Sequence, residues 1–402
     1  MPTPGSDSRP PVPRLTALGQ GAEAHIAMGL AHLDHEDYAQ AIREFETALE
    51  LEPRMAVAHL ALGNAHAKQQ HYDEALAALE QAVKCNPDLV QGHLVLGLTY
   101  LRSGRKLAGL ESLRRVVDLD PKLPVGRLAL GRAYLELGRE AEAATALEAA
   151  VALDPRSVSA HCLLGRLYAS QQKTIEAIAA FQAAIRLRPA LVLIHLALAK
   201  LYTQEHRYAE AIATLEAALA IQPSLVNAYV QMGDLYQDQK EYGKAAVVYQ
   251  AALRIKPQRA ILYHRLGRLY AAQDQDAQAI KAFRAALTAN PLSAEMHYEL
   301  ANVYLRQHQY DDADAKYGTA LLLNPQLALA HVGRGDVYFA RGQDGEAEQA
   351  YRRALEWDST RTIANQRLER LLLRTHRPGD RAAQAPKPTG GVASDTGEEA
   401  PR

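Results

Sequence analysis

Apolar and small residues recur along this chain in two alternating helical runs. Counting from Ala22 in stretches of 34 residues, places 4, 7 and 11 lie three or four apart and share one helical face. Places 17, 20, 24 and 27 do the same further on. The eighth place is small in every stretch: Gly29, Gly63, Gly97, Gly131, Gly165, Ala199, Gly233, Gly267, Ala301 and Gly335. The twentieth is alanine except at Gly109, and the twenty-seventh is alanine except at Val116. Nine prolines at one interval of 34, from Pro53 and Pro87 to Pro325, close the stretches. Turn residues such as Ser103-Gly104 and Leu137-Gly138 separate the two runs, and each proline ends the second. The pattern predicts ten antiparallel helix pairs from Ala22 to Arg361, the tenth with Ser359 where its proline would stand.

A strict period of this length means one supersecondary unit that buries its apolar face on its neighbours. It excludes most enzyme folds. Small residues at the fixed places let two helix backbones approach closely while large ones fill the gaps. Where they change together the packing should weaken. Gly109, Val116, Lys106 and Pro124 mark the junction of the third and fourth units as the weakest, since Gly inside a helix costs ~1 kcal/mol against Ala.

The fifth unit shows the pattern whole, in Leu164, Gly165, Tyr168, Ala177, Phe181, Ala184 and Pro189. That set of residue types at that spacing resembles the tetratricopeptide repeat. The resemblance implies an all-α fold, a right-handed α-solenoid of helix-turn-helix repeats whose concave groove is lined by the first helix of each pair. It implies that the protein binds other proteins. After the tenth repeat, residues 362–375 place Ala364, Leu368, Leu371 and Leu372 on one side, as a capping helix would. The proline-rich segment 1–20 and the Pro-, Gly-, Ser- and charge-rich tail 377–402 are expected to be disordered.

Charge adds little to this. There are 45 basic and 46 acidic side chains, a formal net charge of −1, so no global field favours nucleic acid or anionic lipid. The longest apolar stretch, Ala190 to Ala199, is half the ~20 residues that span a bilayer. The start lacks the basic-then-apolar order of a signal peptide. Cys85 and Cys162 lie three repeats apart and are not expected to pair, which suits a reducing, cytoplasmic setting.

Nothing in the pattern leaves room for a catalytic domain, and neither a nucleophile-base-orienter set nor a phosphate loop is visible. No cofactor or metal is expected. Seven of the 15 histidines, His25, His59, His93, His161, His195, His297 and His331, share the fourth place. Successive helix pairs stand at least ~8–10 Å apart, whereas zinc takes ligands at ~2 Å, so these read as half-buried packing residues. His32 and His66 replace the tyrosine that eight units carry at the eleventh place, Tyr100 to Tyr338. With His25 and His59 they should make the N-terminal end acid-sensitive by packing into one inter-helix seam.

In the family geometry, places 2, 5, 6, 9, 12 and 13 face the groove. The fifth place is apolar through seven units, including Leu60, Leu94, Leu128 and Leu196, with Leu98, Val57, Val125 and Leu193 near it. This strip is either a peptide-binding surface or packing between adjacent first helices. The ninth place carries Arg132, Arg166 and Lys200 in three consecutive repeats and Arg268 two units later. That is either a solvated face or a basic track for an acidic or carboxylate-bearing peptide. Asp234, Asp238 and Asp336 reverse the sign. The Lys-Asn-Asn-Lys-Arg set by which some family members grip a chaperone's C-terminal carboxylate is absent, because Asn64 holds a ninth place but Leu60 its fifth. The sixth-place asparagine ladder of the sugar-transferring branch is absent too. The expected partner is a protein or peptide, with self-association into a homo-oligomer as the alternative. RNA reading is disfavoured, since no polar base-reading pair repeats.

Overall fold

The computed structural model describes residues 21–357 and 361–375. The segment 1–20, Ser359 and the tail from 377 lie outside the described residues. The chain divides into two compact units, one ending at Ile221 and the other beginning at Gln222. The first holds the pairs α1 (Ala22–Asp34) and α2 (Tyr38–Leu51), α3 (Ala56–Lys68) and α4 (Tyr72–Cys85), α5 (Val90–Arg102) and α6 (Lys106–Leu119), α7 (Pro124–Glu136) and α8 (Glu140–Leu153), α9 (Val158–Ser170) and α10 (Thr174–Leu187), and α11 (Val192–Gln204) and α12 (Tyr208–Ile221). The second holds α13 (Val226–Asp238) and α14 (Tyr242–Ile255), α15 (Ala260–Ala272) and α16 (Asp276–Ala289), α17 (Ala294–Arg306) and α18 (Tyr310–Leu323), and α19 (Ala328–Ala340) and α20 (Asp344–Leu355). A last helix, α21 (Arg361–Thr375), packs on α19 and α20. Each unit is an α-solenoid of helix-turn-helix pairs.

The pair is closed by one contact. An added Cβ on Gly29 would fall 2.4 Å from the Phe45 ring, on Gly165 2.4 Å from Phe181, and on Gly131 2.7 Å from Leu147. The eighth place is therefore small because the twenty-fourth lies across it, and those large side chains are fully buried. Two turns then set the direction of the chain. Within a pair, the fifteenth place is left-handed in every repeat, from Glu36 at φ 58° to Gly104 at φ 80°. This lets the following N–H return to the eleventh-place carbonyl, as from Arg105 to Tyr100 at 2.8 Å. Between pairs, the residue before each proline is extended, as at Asp120 with φ −134°, which ends the second helix.

The fourth-place histidines fix the second turn. His59, His93, His161, His195, His297 and His331 each direct Nε2 at the carbonyl of the proline six residues earlier, at 2.8 to 3.1 Å. A carbonyl only accepts, so Nε2 carries the proton. Arg127 takes the same post in the fourth repeat, reaching Pro121 at 3.5 Å. The tyrosines of the eleventh place tie neighbouring pairs together: Tyr100 donates to Glu80 at 2.5 Å and Tyr168 to Glu148 at 2.6 Å. Burial, then these carboxylates, push both phenols up to about 12.

At the junction of the third and fourth repeats the large residue at the twenty-seventh place is accommodated. Val116 is fully buried without crowding its surroundings, because Gly126 faces it: a Cβ on Gly126 would lie 2.7 Å from Val116 Cγ1. Gly109 likewise faces a large neighbour: a Cβ there would lie 2.9 Å from Leu101 Cδ2. Volume added at one place is removed at the facing one. Gly126→Ala should therefore destabilise by ~1–3 kcal/mol, and Val116→Ala alone by about 2 kcal/mol. Combined, they should cost less than their sum by ~1 kcal/mol or more, since they restore the alanine pair found elsewhere. Denaturant unfolding of the four proteins measures this coupling; strict additivity would show that the two residues do not share the space.

Candidate functional site

The helices α3, α5, α7, α9 and α11 present their second, fifth, sixth and ninth places on one face of the first unit. Of the fifth-place leucines, Leu94 is buried and Leu60, Leu128 and Leu196 are half-buried. Leu94, Leu98 and Leu128 belong to one core cluster and Leu60 to another, so their side chains pack into the core rather than standing free on the face. The exposed apolar residues lie at the second place instead: Val57 and Val125 are each 51% exposed and Leu193 76%. The second place is apolar in alternate repeats only, with Gln91 and Ser159 between.

Arg132, Arg166 and Lys200 are all exposed on this face. Arg132 and Arg166 line a cleft of about 440 Å³ between α7 and α9, with Leu135, Leu163 and Leu167 as its apolar lining and Glu136 and Glu140 at its edge. Arg132 Nε pairs with Glu136 at 3.2 Å, one turn along its own helix. An exposed pair of that kind contributes only ~0.3–0.5 kcal/mol, so a ligand carboxylate can displace it. Among the described residues neither Arg166 nor Lys200 makes an ion pair. Cys162 stands half-buried at the fifth place of α9, and burial pushes its thiol up; it and Cys85 are free.

In the second unit the ninth place is used differently. Asp234 accepts from the Tyr249 hydroxyl at 2.5 Å, Asn302 from Tyr317 at 2.5 Å, and Asp336 from Tyr351 at 2.8 Å. A tyrosine stands at the twenty-fourth place in these three repeats only. The sign reversal along the ninth place is thus the acceptor that a buried hydroxyl requires. Burial raises Asp234 and Asp336 against the pull of Arg265 and Arg367, which pair with them.

The remaining ninth-place cation, Arg268, faces a polar group. His264, at the fifth place of α15, is buried with only 6% of its side chain exposed, and its Nε2 lies 2.6 Å from Glu299 Oε2 on α17. Arg268 Nε is 3.5 Å from the other oxygen of Glu299. Glu295 stands one turn before Glu299, and one ligating atom from each of His264, Glu295 and Glu299 lies within 4.8 Å of the others. A cleft of about 410 Å³ beside them is lined by Arg268, Glu299, Asn302 and Arg306. The sequence signal was a histidine where the earlier repeats carry Ile, Leu, Cys or Val.

The N-terminal histidines do not converge on one seam. His25 meets Glu44 at 2.7 Å, His59 meets the Pro53 carbonyl, and His32 stands 3.9 Å from Asp37. Burial lowers His66 despite Glu74 and Glu46 nearby, with the His71 ring 6.3 Å away. In the second unit burial also lowers His297, whose Nδ1 is buried without a partner.

A stack of paired helices that holds side chains out along its first-helix faces defines an α-solenoid interaction scaffold. A tetratricopeptide repeat model matches residues 26–90, 60–124, 128–192, 264–313 and 298–361. A second tetratricopeptide repeat model matches 168–235, and a TPR repeat model matches 233–274. The chain belongs to the tetratricopeptide repeat family. Among solved structures it is similar to the C-terminal part of a TPR repeat-containing protein from Cytophaga hutchinsonii, at 19% identity over 59% of this chain and 97% of that one, with TM-score 0.53. It is also similar to a tetratricopeptide repeat protein from Parabacteroides merdae, at 20% identity over 62% and 99% with TM-score 0.45, and to yeast Tom70, at 13% over 89% and 97% with TM-score 0.42. No curated protein matches the chain in sequence. Among the described residues no helix is long and apolar enough to cross a membrane.

A histidine lowered by burial stabilises the fold fully above the unfolded value of ~6.5, and that contribution is lost as pH falls toward the folded value. Repeats 2 and 9, which hold His66 and His297, should therefore loosen in mild acid. Hydrogen exchange at about pH 7.5 and about pH 5.5, corrected for intrinsic rates, should show lost protection around both, and His66→Tyr should abolish it in repeat 2. Equal protection at the two pH values would exclude the effect.

Proposed function

We propose that this protein is a non-enzymatic adaptor that holds an acidic peptide segment of a protein partner against the first helices of repeats 2 to 6. The observation that carries this reading is the cleft between α7 and α9, where Arg132 and Arg166 flank an apolar lining. Arg166 and Lys200 repeat the same exposed cation one and two repeats along. A peptide carboxylate would receive charge-assisted hydrogen bonds from these guanidinium groups. Its apolar side chains would rest on Leu163 and on the exposed second-place residues Val125 and Leu193. A cytoplasmic setting belongs to the same reading and rests on the two free cysteines.

A second reading is self-association through the exposed second-place residues, favoured by Leu193 at 76% exposure. Light scattering on the eluted full chain separates the two. A monomer at micromolar concentration excludes the second.

Arg132→Glu, Arg166→Glu and Lys200→Glu together should weaken the acidic peptides selected by the native chain from a display library by about tenfold or more. Helical circular dichroism should be unchanged, and native binding should fall with added salt. Equal affinity of native and triple-variant proteins for those peptides would overturn the adaptor site.

A further inference from the structure

We propose that His264, Glu295 and Glu299 form a binding site for a divalent transition-metal ion of the Zn²⁺ class, with a coordination position open to the cleft beside Arg268. The proposal concerns the second unit and is independent of the peptide site on the first.

Two observations meet here. The first is the buried imidazole itself. The fifth place is Ile26, Leu60, Leu94, Leu128, Leu196, Val230 and Val332 in seven other repeats, buried or half-buried in each, with Cys162 and Tyr298 in the remaining two. An imidazole there costs free energy unless its nitrogen is used. Its ring is steadied by Phe283, with centroids 5.9 Å apart, and Nε2 is turned toward α17. The second is the carboxylate pair on α17. Glu295 and Glu299 are four residues apart and so project from one side of that helix toward the same nitrogen.

The dimensions suit an ion. For three ligand atoms to sit ~2.0–2.2 Å from a common centre, the 2.6 Å His264–Glu299 hydrogen bond must open slightly and the Glu295 oxygen, within 4.8 Å of the other two, must close by about 1 Å. Glu295 is exposed and free to change rotamer, so the closure needs no backbone movement. Arg268 touches Glu299 only at 3.5 Å, which orients the carboxylate without saturating it. One imidazole and two carboxylates favour Zn²⁺, Co²⁺, Ni²⁺ or Mn²⁺ over soft Cu(I). Three protein ligands leave the remaining coordination to water, or to a donor entering the cleft of about 410 Å³.

The test uses the full chain, stripped with chelator and titrated with Zn²⁺ by calorimetry and with Co²⁺ by visible absorption. About one equivalent should bind at micromolar affinity near neutral pH and weaken in acid, as the ligands take up protons. His264→Leu installs the residue that four repeats of the first unit carry at this place, and Glu295→Gln alters only a surface side chain. Each should weaken binding by about tenfold or more. Added Zn²⁺ should raise the Tm of the native chain but not of either variant. Absence of binding up to about millimolar ion would overturn the site. Unchanged affinity in both variants would do so too, placing the ion on other histidines. Loss in His264→Leu with Glu295→Gln unaffected would also overturn it, leaving a hydrogen-bonded His264–Glu299 pair.

Discussion

Everything in this molecule is arranged around the contact between the eighth and twenty-fourth places of each repeat. A glycine or alanine on the first helix lies under a Phe, Tyr or Leu on the second, so close that a further methyl group would overlap the ring at Gly29, Gly165 and Gly233. This fixes the depth at which the two helices meet. It also decides what the second helix can carry. Where the large residue is tyrosine, its hydroxyl emerges beside the ninth place and needs an acceptor there, and Asp234, Asn302 and Asp336 supply it. Where it is Phe or Leu, the ninth place has no such duty. Arg132, Arg166 and Lys200 occur in that second group.

The two units differ in these chemical terms. In the first, the core beneath the first-helix face is aliphatic or phenylalanine, and the surface above it bears cations and alternating apolar residues. In the second, tyrosines reach up from the core and bind the surface carboxylates, which in turn hold Arg265 and Arg367. The polar groups of that face are largely committed to one another. His264, Glu295 and Glu299 are a cluster of different composition, joined from two neighbouring first helices, with Phe283 rather than a tyrosine packed against His264.

The repeat was legible in the sequence because each helix pair makes the same contacts, so every constraint is written ten times. Helix boundaries, both turns and the cap emerge from period and residue size. The face was less legible, for two reasons visible in particular residues. Leu60 and Leu128 stand at places that family geometry turns toward the groove, yet a leucine there also packs into the core, and only coordinates show which neighbour it touches. Val116 read as a defect because its facing residue, Gly126, lies ten positions later in another helix. Likewise Asp336 read only as a reversal of sign along the face, because its partner Tyr351 is fifteen residues on, across a turn. Pairings between places are invisible to a scan that compares each place only with itself.

The donor that steadies the inter-repeat turn sits in one repeat and its acceptor in the one before. The acceptor is the main-chain oxygen of the proline, and Arg127 reaches the same oxygen where histidine is missing. Because that oxygen belongs to the backbone, it is present whatever side chains the preceding repeat bears. A repeat of this type therefore keeps this turn contact when it is duplicated, deleted or exchanged by recombination, even where core volume, as at Val116 and Gly126, has to be matched across the seam. The tyrosine–aspartate pairs obey the same economy, since both members lie within one repeat and travel together. Such a chain is free to lengthen by copying and to diversify afterwards, one exposed face at a time.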